Sequence, residues 1–416
     1  MLVKTVLNRL VRFKSFVLGN VFFEKREGEE AVIVEITPRK GGRPVCQECG
    51  RKGPGYDVQP ARTFQYLPLF DYKVFFLYAP RRVNCSLHGI HVEALPWGSG
   101  KEHLTNDYKL FLGRWARRLS WSETARVFRT SWDSVYRAVS YMVDYGLKHR
   151  SLEGITQLGI DEIAVFKGHK YLTLVYQLNA GVRRLLWCGT DRKTDTLLTF
   201  FKEFSPERCA RLEYICTDMW APFLDAIRQC APEALNILDR FHIMKKFGEA
   251  IDQIRRDEHK AFKAEGQSVL EKARWALLKR PENLTENQTA RLADLLKLNI
   301  QSVKAYLLRE DFQRFWEFKH ASVAGRFLDS WCKRTMRTKL EPMKKVARML
   351  QNHKPLIMNW FAAKGTLSSG AVEGLNLKAK LTMRKAFGFR STDSLKIALY
   401  HTLGNLPDPP GTHGFS

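Results

Sequence analysis

The feature that most restricts how this chain can fold is a change of apolar period at residue 157. Upstream, apolar residues recur at helical spacing. From residue 157 they run in short β-rich stretches cut by turns. QLGIDEIAVFKG reads as a strand, Gly168-His169 as a turn and KYLTLVYQLN as a second strand. Asn179-Ala180-Gly181 turns the chain into a third strand, RRLLWCGT. A helical pattern covers Thr194 to Phe204, YICTDMW is a fourth strand, Pro222 opens a helix (FLDAIRQCA), and LNILDRFH is a fifth strand. The order is βββαβαβ, an antiparallel meander feeding a parallel αβαβ part.

That order is the one found in an RNase H-like α/β core with a mixed five-stranded sheet, and it gives two acidic residues a meaning. Asp161 falls within strand one and Asp218 ends strand four, and these strands are neighbours in such a sheet. Alternation sends Asp161 and Glu162 to opposite faces. Asp161 is the residue for the site, because Ile160 and Ile163 flank it as on a central strand. Carboxylates brought together out of water raise each other's pKa unless a cation lies between them. Hard oxygen ligands suit magnesium or manganese. Two such ions about 4 Å apart activate a water or a 3′-hydroxyl and stabilise the leaving oxygen at phosphorus. Residues 243–367 are helical in pattern and rich in Lys, Arg, Leu and Trp, so they read as a large all-helical insertion. After it comes LSSGAVEGLNLKAKLTMRKAFGFR. Ser368 or Ser369 caps a helix there, Glu373 lies in its first turn, and Asn376 and Lys380 share the Glu373 face. Glu373 is the candidate third carboxylate.

Two further modules precede the core. Cys46-Gln-Glu-Cys49-Gly50 and Cys85-Ser-Leu-His88-Gly89 are paired knuckles, each with a glycine behind its second ligand. Three thiolates and an imidazole make a closed tetrahedral zinc set, with His91 as an alternative to His88. Between the knuckles, FQYLPLFDYKVFFLYAPRRV reads as strands turning at Phe70-Asp71. A hairpin carrying the knuckles would be a zinc ribbon. Residues 101–150 are basic. Asn106 to Arg118 reads as one helix, Ser122 to Phe128 as a second with Ala125 and Phe128 inward, and Arg129-Thr130 as a turn. Ser131 caps a third helix with Val135, Val139 and Met142 on one face. This is a helix-turn-helix pattern that presents Ser134 and Arg137 to a DNA groove.

Charge sets the partner. The chain of 416 residues has 68 Lys and Arg against 43 Asp and Glu, a net charge of +25. Such a field favours a polyanion. No stretch approaches about 18 consecutive apolar residues, and charges interrupt the opening MLVKTVLNRLVRFKSF, so neither a spanning helix nor a signal peptide is expected. The expected place is the cytoplasm of a bacterium, associated with the nucleoid. Cys188, Cys209, Cys216, Cys230 and Cys332 stand apart in sequence and read as buried thiols of a reduced compartment.

GIDEIA, ICTDMW, DRFH and SGAVEGLN followed by FGFR, in this order behind the split knuckles, resemble the ISL3 family of bacterial insertion-sequence DDE transposases. The resemblance covers nearly the whole chain. It implies that Asp161, Asp218 and Glu373 form the catalytic triad and that Asp239 and His242 match a motif on strand five. His242 would either lie near the scissile phosphate or support the next helix. Two departures are His88, where many members have cysteine, and Ser369, where asparagine is expected. The resulting fold is α+β and multidomain. A zinc ribbon occupies 1–100, a helix-turn-helix 101–150, the first part of the core 151–242, the insertion 243–367, and the helix with the third acid 368–416. The implied function is metal-dependent cleavage and strand transfer at terminal inverted repeats of double-stranded DNA, by a homodimer or larger assembly. Lys378, Lys380, Arg384, Lys385 and Arg390 would hold backbone phosphates, and Trp316, Trp331 and Trp360 are either core or dimer contacts. The alternatives are a DNA-binding regulator derived from a transposase and an RNase H-like nuclease or resolvase.

Overall fold

The computed structural model describes every residue except 1, 2, 12, 27, 99–101, 167–169, 364–369, 390 and 412–416. Arg390, the Gly168-His169 turn and the Ser368 or Ser369 cap therefore lie outside the described residues. The chain is a mixed α/β protein that divides into two compact units, Met1–Ser151 with Ala379–Ser416, and Leu152–Lys378.

The first unit opens with helix α1 (Val3–Leu10), strands β1 (Phe16–Arg26) and β2 (Glu29–Pro38), and then β3 (Gly55–Val58), β4 (Arg62–Leu69), β5 (Tyr72–Tyr78), β6 (Arg81–Cys85) and β7 (Gly89–Val92). Two sheets result, in the orders β1-β2-β5-β4 and β3-β6-β7. The β4–β5 hairpin turns at Phe70-Asp71 as the sequence predicts, but it does not carry the knuckles. Phe64, Tyr66, Val74 and Phe76 alternate inward and pack it into the four-stranded sheet with Val34, Phe16 and Trp97. The β1–β2 half of that sheet was not read from the sequence. The knuckles sit on the small three-stranded sheet instead.

Three helices follow, α2 (Asn106–Arg118), α3 (Trp121–Val127) and α4 (Trp132–His149). The second starts one residue before the expected Ser122, because Ser120 and Glu123 form a reciprocal capping box. Phe128 lies just past its end and is half-buried. Ser131 caps α4 by accepting from the Ser134 amide. Val135, Val139 and Val143 bury one face of α4 against Ala116, Trp121, Ala125 and Ala398 of the terminal helix Thr392–Leu403.

The second unit holds β8 (Gln157–Phe166), β9 (Lys170–Gln177), β10 (Arg184–Thr190), α5 (Thr194–Phe204), the single turn α6 (Pro206–Cys209), β11 (Tyr214–Thr217), α7 (Ala221–Cys230) and β12 (Leu235–Leu238). The sheet order is β10-β9-β8-β11-β12, with β8, β11 and β12 parallel and β9 and β10 antiparallel. Helix α8 (Arg240–Ala264) starts directly after β12, earlier than the expected helical region, so Asp239 and His242 are not on strand five. Asp239 caps the helix and His242 lies in its first turn. Helices α9 (Arg274–Leu278), α10 (Glu286–Leu296), α11 (Gln301–Gln313), α12 (Ala321–Met336), α13 (Glu341–Asn352) and α14 (Lys354–Ala362) then build a helical core. Phe247, Phe312, Phe315 and Trp331 are its fully buried rings. Trp316 is buried there and the half-buried Trp360 packs against it, so these tryptophans belong to the helical core. Helix α15 (Gly370–Lys385) begins in this unit.

Gly159 on β8 sets how closely α15 approaches the sheet. A Cβ there would lie 2.7 Å from Val372 Cγ2 and 2.9 Å from Leu178 Cδ1. Gly159→Ala is expected to destabilise by about 1–3 kcal/mol through overpacking. The denaturant midpoint reads this, and an unchanged midpoint would mean that α15 does not rest on the strand.

Candidate functional site

Strand register, more than any single contact, assembles the acids. Gly159 pairs with Cys216 and Thr217 with Leu238 across parallel ladders. Two residues on from the first pair come Asp161 and Asp218, and one residue on from the second come Asp218 and Asp239. Asp161, inside β8, therefore stands level with Asp218 and Asp239, each of which directly follows the last residue of its strand.

Asp161 is buried and accepts two hydrogen bonds. The Glu162 amide donates to Oδ1 at 2.8 Å and Asn376 Nδ2 donates to Oδ2 at 2.5 Å. Tyr176 Oη in turn donates to Asn376 Oδ1 at 2.8 Å. A side chain on α15 is thus tied to the central strand, and the helix that carries Glu373 is anchored one turn beyond it. Burial pushes the Asp161 carboxyl up to about 6. The nearby His242 imidazole opposes this, and Asp218 and Asp239 add to it. Burial also raises Asp218, against the amide of Trp220 that donates to its Oδ1 at 3.0 Å. Burial would depress His242, but the hydrogen bond to Asp239 and the fields of Asp161, Asp239 and Asp218 hold its pKa above the ordinary value. Glu162, next on β8, pairs with Arg192 at 3.0 Å, and burial raises its pKa against the pull of that guanidinium, with Asp218 adding to the rise.

Glu373 is exposed in the first turn of α15. Among the described residues, it is not drawn with Asp161 and Asp218 into a group whose ligand atoms all lie within 4.8 Å of one another. The sequence treated Asp239 and Asn376 only as support. The structure makes Asp239 a member of the aspartate row and Asn376 the direct partner of Asp161.

One group does meet that spacing. The ligand atoms of Cys46, Cys49, Cys85 and His88 all lie within 4.8 Å of one another. Cys46 Sγ and Cys85 Sγ are each 3.7 Å from His88 Nδ1, and Cys49 Sγ is 3.7 Å from Cys85 Sγ. Ligands about 2.0–2.3 Å from a tetrahedral zinc stand roughly 3.5–3.8 Å apart, so the set fits that ion. Gly50 and Gly89, with φ of 71° and 74°, close the two knuckles in a conformation that a side chain would strain. Amides of Leu87 and His88 hold the Cys85 thiol down at about 6, which favours the thiolate that a metal takes. His91 is not the fourth ligand, since its Nε2 bonds the His88 carbonyl.

The basic residues are placed unevenly. Arg137 is exposed on α4, whereas the Ser134 hydroxyl bonds the capping Ser131 at 2.9 Å. Lys378, Lys380 and Arg384 are exposed along α15. Lys385 is exposed at the end of α15 and donates to the carbonyl of Arg118. No helix among the described residues is long and apolar enough to cross a membrane.

A mixed sheet with aspartates level on three adjacent parallel strands, in a chain that also carries a Cys3His group with metal-ligand spacing, defines the class, and comparison with known proteins names the family. The family model of the ISL3-type DDE transposases, described as Transposase, matches residues 158–399. The chain belongs to this family. It is 29% identical over 431 residues to the transposase for insertion sequence element IS1557 of Mycobacterium tuberculosis, covering 96% of this chain and 95% of that protein. It is 26% identical over 353 residues to the transposase for insertion sequence element IS1001 of Bordetella parapertussis, covering 84% and 86% respectively.

Two measurements test these sites. His88→Ala is expected to lower bound zinc from one ion per chain, while His91→Ala keeps it, as read by metal analysis of purified protein. The acid cluster carries a pH signature. A carboxyl whose pKa is raised on folding contributes stability below about pH 4, and that contribution is lost as pH rises through about 6. A divalent ion offsets the loss only where the proton is gone. Magnesium should therefore raise the melting midpoint more at pH 7.5 than at pH 5.5, and Asp161→Ala should erase the difference. Equal shifts at both pH values would count against metal binding by Asp161.

Proposed function

We propose that this transposase cleaves and joins DNA by two-metal-ion chemistry on an RNase H-like core. The observation that carries the reading is the in-register placement of Asp161 beside Asp218, with Asn376 tying the Glu373 helix to Asp161. Buried acids side by side, with raised pKa values, are the arrangement that a hard cation relieves. In this reading Asp161, Asp218 and Glu373 would together hold the two magnesium or manganese ions. The bound ions would supply nucleophile activation and charge stabilisation at phosphorus. Asn376 fixes the Asp161 carboxylate, and His242, whose pKa the aspartates raise, lies where a phosphate oxygen would approach.

The zinc-bound knuckles and the α3–α4 pair, read as a helix-turn-helix with Arg137 toward the groove, would recognise terminal inverted repeats. Lys378, Lys380 and Arg384 would bind backbone phosphates, a contribution that weakens with salt. Joining two transposon ends calls for at least a dimer on DNA. The expected setting is the bacterial nucleoid.

The test is nicking of a duplex that carries the element's own terminal repeat. Asp161→Asn, Asp218→Asn and Glu373→Gln should each lower magnesium-dependent nicking by at least about a hundredfold while binding persists, since even outer-sphere changes at metal sites cost 10–100-fold. Repeat binding by the wild type without nicking would instead identify a regulator. Nicking without joined products on a target plasmid would identify a nuclease or resolvase.

A further inference from the structure

Beside the aspartate row, two large aromatic side chains remain in water. Trp220 is 37% exposed and Phe241 49%. They occupy equivalent places in a repeated device. After β11 the chain reads Asp218-Met219-Trp220, and after β12 it reads Asp239-Arg240-Phe241. In each, the aspartate accepts from the backbone N–H two residues on, at 3.0 Å and 2.7 Å. The strands are adjacent and parallel, paired through Thr217 and Leu238, so the two devices leave the sheet side by side.

The Trp220 ring is also fixed. Its Nε1 donates to the Arg192 carbonyl at 2.9 Å, and the Arg192 guanidinium lies 4.6 Å from its centroid and 4.3 Å from that of Tyr171. Glu162 holds that guanidinium at 3.0 Å. Phe241 meets the edge of His242 with centroids 5.7 Å apart. Single exposed aromatics need no explanation. A pair built alike around buried carboxylates, one with its ring locked, does.

We propose that Trp220 and Phe241 form a stacking platform for an unpaired DNA base next to the phosphate at the acid cluster. This inference rests on the reading of that cluster as a phosphodiester site. Paired bases have both faces covered by their neighbours, so only a base out of the duplex offers a face to these rings. Stacking tolerates any base and strengthens binding about 5- to 150-fold per base.

The experiment compares two fluorescein-labelled 20-base-pair duplexes, one fully paired and one with four unpaired nucleotides at an end. Anisotropy is measured with the full-length, zinc-loaded protein in buffer without magnesium or manganese. The wild type should prefer the frayed duplex by roughly tenfold, from one stacked base. Trp220→Ala with Phe241→Ala should reduce that preference below about twofold with little change for the paired duplex. Trp220→Phe with Phe241→Tyr should retain it, which separates lost stacking from a folding defect. A wild type that does not distinguish the duplexes overturns the proposal, and so does a preference that survives the double alanine variant. Leaving out magnesium and manganese makes the assay independent of chemistry. Absence of nicking in magnesium would strike the catalytic reading and leave this preference standing.

Discussion

The second unit is organised around a carboxylate kept out of water at the centre of its sheet. An unpaired buried charge costs several kcal/mol, so such a group persists only where its surroundings compensate it. Asp161 has the Glu162 amide, the Asn376 side chain and the field of His242. Compensation is partial, since burial still leaves its pKa near 6. The remaining deficit marks a place that favours a proton or a cation. The same hydrogen bond from Asn376 returns a helix 215 residues later in the chain to the central strand. Electrostatics and topology therefore depend on one contact, and Gly159 supplies the space for it.

The helical region between residues 240 and 362 has a different task. Its rings and aliphatic side chains form their own core, which takes in Leu224 and Leu238 from the sheet side. Asn359 Nδ2 donates to the Asn236 carbonyl at 2.7 Å and ties α14 to β12. Burial of each large apolar side chain contributes about 1.5–3 kcal/mol. This packing fixes the strand end from which Asp239 emerges. The long excursion between β12 and α15 thus supports the sheet edge beside the aspartate row.

Local chemistry was legible from the residues wherever short range decided the outcome. The helix Asn106–Arg118, the Ser131 cap, the Phe70-Asp71 turn and the βββαβαβ order follow from periodicity, capping and turn residues, and the structure has them. Pairing over longer range was not legible. The β4–β5 hairpin lies between the knuckles in sequence, yet its aromatic face is large enough to need the β1–β2 strands, and it leaves the knuckles to a smaller sheet. LNILDRFH read as one strand because its apolar run continues, but Asp239 caps α8 and ends it. Asn376 was placed on the correct helix face by its spacing from Glu373, while its bond to Asp161 required the fold.

The central claim is that Asp161 and Asp218 share a divalent ion with Glu373 drawn in from α15. Anomalous scattering from crystals soaked in manganese tests this directly. The account predicts a peak between the Asp161 and Asp218 carboxylates, with a Glu373 oxygen within about 2.0–2.3 Å of a bound ion. Manganese elsewhere, or an aspartate row that stays empty at saturating metal, would contradict it.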